Sequence, residues 1–325
     1  MIAAKKAKND EFYTQMGDIC AELTHQEYID FFRGKHVFLN CDDPQQSNFW
    51  KFFSLNFMHL GLKQLTATHY DATKPTYRLD LYADLNNDGI IDDKDLVITP
   101  LQGNGDFRNQ ESIDILKVCD VVVTNPPFSL FREYIEQLMT YNKKFVCIAN
   151  KNSLGYKEVF KHVMNDEIWL GYSKPGEFYL PDGSLSTNLT GLTIWWTNID
   201  LRKRHTPLLL CKEYYGHENE YPIYHNYNAI ECKKVSDIPK DYLGYIGVPL
   251  TYLSYHCSDQ FEIVGRSGDI DWAENNCDFF TPPTEEQSES FKKQDKTWRV
   301  QNPYLLNPYG NFNTVYTRLF IKRKL

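Results

Sequence analysis

Val121-Val122-Val123-Thr124-Asn125-Pro126-Pro127-Phe128 is the stretch whose reading decides the fold. Three β-branched residues directly after Asp120, without polar alternation, read as a strand buried on both faces of a parallel sheet. The two prolines fix φ and remove two backbone donors, so the chain leaves the sheet as a rigid loop with its carbonyls outward. At the carboxyl end of a strand in an open α/β sheet, such a loop lies in the ligand crevice. Working outward, Leu130, Tyr134, Ile135 and Leu138 recur at helical spacing and predict a helix over Phe131–Tyr141. Short apolar runs at His36–Leu39, Gln64–Thr68, Val118–Val123 and Lys144–Ala149 alternate with helix-period segments at Glu11–Phe32 and Ser47–Leu60. That alternation predicts an α/β domain with a mostly parallel sheet.

The segment from Tyr77 to Pro100 is period two instead, with Tyr77, Leu79 and Leu81 on one face and Leu96 and Ile98 after a turn. It reads as a hairpin inserted in the α/β domain. Its turn places Asp84, Asn86, Asp88 and Asp95 at the spacing of a calcium loop. A plain Asn/Asp/Gly turn needs the same residues for left-handed backbone angles. Asp95 also stands where a bidentate Glu is usual, and no helix pair flanks the loop, so neither calcium nor another metal is expected. The regular alternation stops near residue 200, beyond which Pro, Tyr and Asn are frequent and Asp278–Lys296 reads as an exposed, irregular excursion. Two parts are expected, residues 1–200 and 201–325.

With 325 residues, 42% hydrophobic and 24% charged, the chain has the composition of an ordinary globular protein. It contains no apolar run near the roughly 20 residues needed to span a bilayer. Met1–Asp10 has no signal-peptide core, so a cytoplasmic protein with no membrane contact is expected. The eight cysteines never form CxxC, which excludes a disulfide framework and a recognisable zinc site. A net charge of −8 excludes a surface basic all over, but nucleic-acid binding depends on local placement. Basic clusters occur at Lys5-Lys6-Lys8, Arg202-Lys203-Arg204, Lys292-Lys293-Lys296-Arg299 and Arg318-Lys322-Arg323-Lys324. Each is a candidate DNA contact or simply a solvated face.

The residue types of the Asn125 loop suit one chemistry. An exocyclic amine on an aromatic base is a poor nucleophile because its lone pair is delocalised. Two acceptors on its two hydrogens pull the nitrogen towards tetrahedral geometry and localise that pair. The Asn125 side-chain oxygen and the Pro126 carbonyl are two such acceptors, and Phe128 is placed to stack on a base held out of its helix. The plain alternative is a strand-ending turn in which Asn caps and the prolines break regularity; the apolar strand just before it favours the ligand loop. Asn40-Cys41-Asp42 follows one strand and precedes a helix near Ser47, where a nucleoside cofactor sits in such folds, though Asp42 or Asp43 would equally cap that helix. Gly105-Asp106-Phe107-Arg108 alone reads as a turn.

Together these segments resemble the EcoRI-type adenine-specific DNA methyltransferases. The resemblance runs in order through Asp10–Gln15, Asn40–Pro44, Phe53–Lys63, Gly105–Arg108, Thr124–Phe131 and Tyr156–Phe160, and returns at Trp169-Leu170-Gly171, Gly247-Val248-Pro249 and Ile321-Lys322. It implies an α/β, Rossmann-like S-adenosylmethionine-dependent methyltransferase fold with a C-terminal target-recognition region. It implies catalytic roles for Asn125, Pro126, Pro127 and Phe128. Cofactor contacts are implied for Phe12, Tyr13, Thr14, Asn40, Cys41, Asp42, Asp106, Phe107 and Asn125, with Asp71 as candidate for the ribose hydroxyls. Trp195-Trp196 resembles the later motif that packs against the target base, and Arg202 and Arg204 follow it directly. Residues 265–316 fall outside the resemblance, which therefore implies no particular target sequence.

The expectation is a DNA adenine N6-methyltransferase acting on a flipped base in double-stranded DNA. It needs no obligatory protein partner, and any companion restriction endonuclease is encoded separately. The rival is a protein glutamine methyltransferase using the same Asn-Pro-Pro-aromatic loop. Such enzymes usually carry a Gly-rich cofactor turn, absent here.

Overall fold

The computed structural model describes residues 13–41, 43–82, 84–86, 88–89, 91, 93–176, 178–179, 184–186, 191–268, 278–294, 298–306 and 312–324. The chain divides into two compact units, Met1–Asp200 and Leu201–Leu325. The first unit contains strands β1 (Tyr13–Thr14), β2 (His36–Leu39), β3 (Gln64–Thr68), β4 (Tyr77–Leu81), β5 (Val97–Pro100) and β6 (Val121–Thr124). It continues with β7 (Lys144–Asn150), β8 (Trp169–Leu170), β9 (Phe178–Tyr179), β10 (Leu185–Ser186) and β11 (Thr193–Thr197).

Eight of these form one sheet in the order β5-β4-β3-β2-β6-β7-β11-β8. Only its middle is parallel: β3, β2, β6 and β7 run together, while β4, β5, β11 and β8 add antiparallel flanks. Every residue of β2 and β6 is buried, as expected of strands covered on both faces. The inserted hairpin is stitched to the sheet edge through the β3–β4 pairing, burying Leu79 and Leu81, with Pro100 on the margin where a missing N–H costs no ladder bond.

Helices follow from caps and apolar stripes. Ser47 caps Asn48–Leu55 by accepting the Phe49 N–H at 3.2 Å, and that helix buries Phe49, Trp50, Phe52 and Phe53. Phe131–Thr140 buries Phe131, Tyr134, Ile135 and Leu138, one face of a helix. The continuous helical segment expected from Glu11 is two helices, Met16–Leu23 and Gln26–Phe32. Thr24 ends the first, its backbone N–H and its hydroxyl both donating to the Cys20 carbonyl. Glu22, fully buried, then accepts from the Tyr28 hydroxyl and from the Tyr172 N–H, the Ser173 N–H and the Ser173 hydroxyl at 2.7–2.9 Å. A Cβ on Gly171 would overlap the Glu22 carboxylate, so glycine is needed there. Tyr13–Thr14 pairs with β9, which pairs with β10.

The second unit is built on β12 (Ala229–Glu231), β13 (Tyr245–Pro249), β14 (Phe261–Arg266) and, after the hairpin of β15 (Tyr304–Leu306) and β16 (Phe312–Thr314), β17 (Arg318–Arg323). Its main sheet has the order β12-β13-β17-β14. Inside it the buried Glu231 carboxylate accepts from the Tyr224 hydroxyl and from Arg318 at 2.7 and 3.1 Å. Arg318 is thus a core ion-pair partner and not part of a surface cluster. The excursion expected over Asp278–Lys296 contains a helix, Glu285–Gln294, whose Phe291 is buried against Trp298 and Tyr304. One apolar anchor in a helix of ten residues leaves almost no periodic signal to read.

Candidate functional site

The strand order reverses between β2 and β6, with β3 added on one side of β2 and β6 on the other. Pairing between these two neighbours spans only Val37–Val121 and Phe38–Val122, although both strands run on. Their carboxyl ends therefore separate. Asn40 and Cys41 on one side, and Asn125 to Phe128 on the other, follow these ends at the topological switch point, the place where open α/β sheets form their ligand crevice.

Asn125 and Pro126 are buried, while Pro127 and Phe128 are half-buried. The chain turns at once through Phe128–Leu130 into the helix Phe131–Thr140. The Pro127 carbonyl accepts the Leu130 N–H at 3.0 Å, whereas among the described residues the Pro126 carbonyl has no donor. The loop thus presents one open backbone acceptor beside the Asn125 amide.

On the other wall, Asn40 is 2% exposed and accepts the Tyr134 hydroxyl at 2.7 Å. The buried Phe107 ring meets Tyr134 edge-on at 5.1 Å. Gly105, at φ +71, leads into it: a Cβ there would overlap the His69 carbonyl oxygen, so only glycine lets this loop approach the end of β3 so closely. Asp106 accepts from Arg108 Nε at 2.9 Å and from a terminal guanidinium nitrogen at 2.7 Å, and Arg108 also reaches Glu133 at 3.0 Å. Burial raises the Asp106 pKa, but the hydrogen bonds and charge of Arg108 outweigh it and hold the carboxyl below the usual range.

Asp71 Oδ1 accepts from the Thr73 N–H, the Thr73 hydroxyl and the Lys74 N–H at 2.7–3.0 Å, with the Thr73 N–H the main cause of a lowered pKa. The Thr14 carbonyl accepts from Asn48 Nδ2 at 2.8 Å, tying β1 to the helix that follows the Asn40 loop. Tyr13 and Cys41 are half-buried. Phe12 and Asp42 lie outside the described residues.

Sequence reading missed three residues here. Thr68 Oγ1, His69 Nδ1 and Thr124 Oγ1, at the carboxyl ends of β3 and β6, are buried polar atoms without a hydrogen-bond partner among the described residues. Buried polar atoms are rarely left so unless something completes them, and these suit a polar nucleoside cofactor. The carboxyl-end rule would have found Thr68 and His69.

Trp195 and Trp196 are a correction. Both are fully buried in β11, between β7 and β8, where every residue from Thr193 to Thr197 is covered. Trp196 Nε1 donates to Ser153 Oγ at 3.0 Å, and Trp195 packs edge-on against Phe49. Neither indole is on a surface that DNA can touch. In the second unit Arg202 is exposed, whereas Arg204 is only 7% exposed, so of this pair only Arg202 lies at the surface. At the hairpin turn Asp84 accepts the Asp88 and Gly89 N–H groups, Asn86 accepts the Asp88 N–H, and the buried Asp95 accepts the Leu85 and Asn86 N–H groups. Asp88 faces Lys94 at 3.8 Å. These oxygens build the turn.

The chain matches the family described as adenine-specific methyltransferase EcoRI over residues 1–324, including the stretch 265–316 that sequence reading left outside. It is 43% identical over 287 residues to the type II methyltransferase M.EcoRI of Escherichia coli, covering 80% of this chain and 87% of that one. To M.MpnI of Mycoplasma pneumoniae it is 37% identical over 279 residues, covering 80% and 83%. No solved structure matches. The splayed strands, the Asn-Pro-Pro-Phe loop and these relatives agree, and the chain belongs to the EcoRI family of adenine-specific methyltransferases.

Proposed function

We propose that this protein methylates the exocyclic N6 of adenine in double-stranded DNA at a specific sequence, with S-adenosylmethionine as donor. The observation that carries the reading is the Asn125 loop at the splayed end of β6, with its open Pro126 carbonyl. When bound, S-adenosylmethionine supplies a methyl group on a sulfonium. The rest is work for the chain's own residues. The Asn125 oxygen and Pro126 carbonyl accept the two amine hydrogens and localise the lone pair. Phe128 stacks on the extruded base, offsetting an unstacking cost of a few kcal/mol. Because the amine proton would pass to solvent only after the nitrogen had taken the methyl group, no strong base is required of the chain.

The cofactor residues are Tyr13, Thr14, Asn40, Cys41, Asp106, Phe107 and Asn125, with the second oxygen of Asp71 left for the ribose. Phe12 and Asp42 belong to the same segments. Recognition of DNA is assigned to the second unit, where Arg202, Lys292, Lys293, Arg299 and Lys322 are exposed. The enzyme is assigned to the cytoplasm, without an obligatory protein partner. Protein glutamine as the methyl acceptor is not favoured, because the family is adenine-specific. Expression in a host that lacks DNA methylation, followed by sequencing of modified bases, tests the proposal. N6-methyladenine in one sequence context is expected; unmodified DNA from a folded, well-expressed protein overturns it.

A further inference from the structure

Tyr134 is fully buried on the helix that begins directly after the Asn125 loop. Its hydroxyl donates 2.7 Å to Asn40 Oδ1, across 94 residues of chain, and Asn40 stands in the loop after β2. One turn further along the same helix, Gln137 Nε2 donates 3.1 Å to the Phe107 carbonyl. A single helix thus grips both cofactor-side segments and is covalently continuous with the loop that binds the target base. Burial pushes the Tyr134 pKa well above the usual phenol range, which keeps the proton on the oxygen and makes this group a donor to Asn40.

Directionality follows. An amide has an acceptor end and a donor end, and the two look alike in shape. The Tyr134 proton selects the oxygen, and the Cys41 thiol lies against that same oxygen at 3.4 Å. With its oxygen held, the Asn40 amide keeps its Nδ2 for an acceptor elsewhere. We infer that Tyr134 is a positioning residue that fixes the Asn40 amide donor-outward for an acceptor atom of S-adenosylmethionine, coupling the cofactor loop to the catalytic helix. The inference rests on the function proposed above.

The test is steady-state methylation by Tyr134→Phe, Asn40→Ala and the double variant, with S-adenosylmethionine varied at saturating DNA. Phenylalanine keeps the ring against Phe107 and removes only the hydroxyl. The expected result is a KM for S-adenosylmethionine raised on the order of tenfold, with kcat changed less than about twofold, the pattern of lost ground-state binding. The double variant should be no worse than the worse single one, because both remove the same contact. An unchanged KM in folded Tyr134→Phe, or additive effects, overturns the inference. Should Tyr134→Phe fail to fold, Asn40→Ala decides: a raised KM supports it and an unchanged KM overturns it. Asn125→Ala, assayed alongside, separates the two levels. Full transfer by that variant sinks the proposed function, whereas its silence together with an unchanged Tyr134→Phe KM sinks only this inference.

Discussion

The Trp196 indole nitrogen donates 3.0 Å to the Ser153 hydroxyl, and both side chains are buried. The bond joins β11 to the turn that ends β7, on the interior of the first unit. Trp196→Phe is therefore expected to lower stability by about 1–3 kcal/mol, from the lost hydrogen bond and a small cavity. DNA affinity of the folded variant should stay near that of the parent. Thermal unfolding and a DNA titration measure both, and lost affinity with unchanged unfolding would return Trp196 to the DNA surface.

Asn125→Ala is expected to reduce methyl transfer by roughly two to three orders of magnitude, the cost of a contact strengthened in the transition state, about 3 kcal/mol. Binding of S-adenosylhomocysteine, measured calorimetrically, should survive. Transfer within about threefold of the parent would remove the assigned mechanism.

Arg202 and Arg204 should behave differently despite being two residues apart. Arg202→Ala is expected to weaken DNA binding and to reduce the slope of log affinity against log salt by about 1, as for one lost phosphate contact. Arg204→Ala should instead lower thermal stability, since its side chain is buried. Equal salt slopes for the parent and Arg202→Ala would make Arg202 a solvated charge.

At the hairpin turn, Asp95→Ala should destabilise the first unit by about 1–3 kcal/mol, because two backbone N–H groups lose a buried acceptor. Calorimetric titration of the parent with calcium is expected to give no saturable heat. A sub-millimolar site abolished in Asp84→Ala/Asp88→Ala would reverse that reading.

What could be read in advance depended on how local the cause was. His36–Leu39 and Gln64–Thr68 are apolar runs whose strand bounds follow from burial on both faces, and both strands run over those residues. The Asn-Pro-Pro-Phe turn is likewise a local effect of proline. Trp195 and Trp196 were misplaced because two adjacent indoles look the same in a β-strand core as on a stacking surface. Which it is depends on β7 and β8 pairing on either side. Arg318 shows the same limit: its partner Glu231 lies 87 residues away, and no spacing rule connects them. Tyr134 read as an ordinary core position of an amphipathic helix, and only its tertiary contact with Asn40 separates it from Ile135 or Leu138.

The separation of β2 from β6 also governs when a binding site can first exist. The start of β2 is held by the Asp120 carboxylate, which accepts the His36 N–H from 84 residues downstream. The two walls of the crevice thus belong to distant parts of the polypeptide. On a ribosome, a nascent chain that has not yet delivered Thr124–Phe128 clear of the exit tunnel has one wall and no crevice. The β2–β3 pair and its flanking hairpin must wait, with one edge of β2 unpaired, for a non-local partner. An exposed apolar edge during that interval is the state most open to self-association, which makes the interval between synthesis of Leu39 and Val121 the vulnerable phase in the birth of this enzyme.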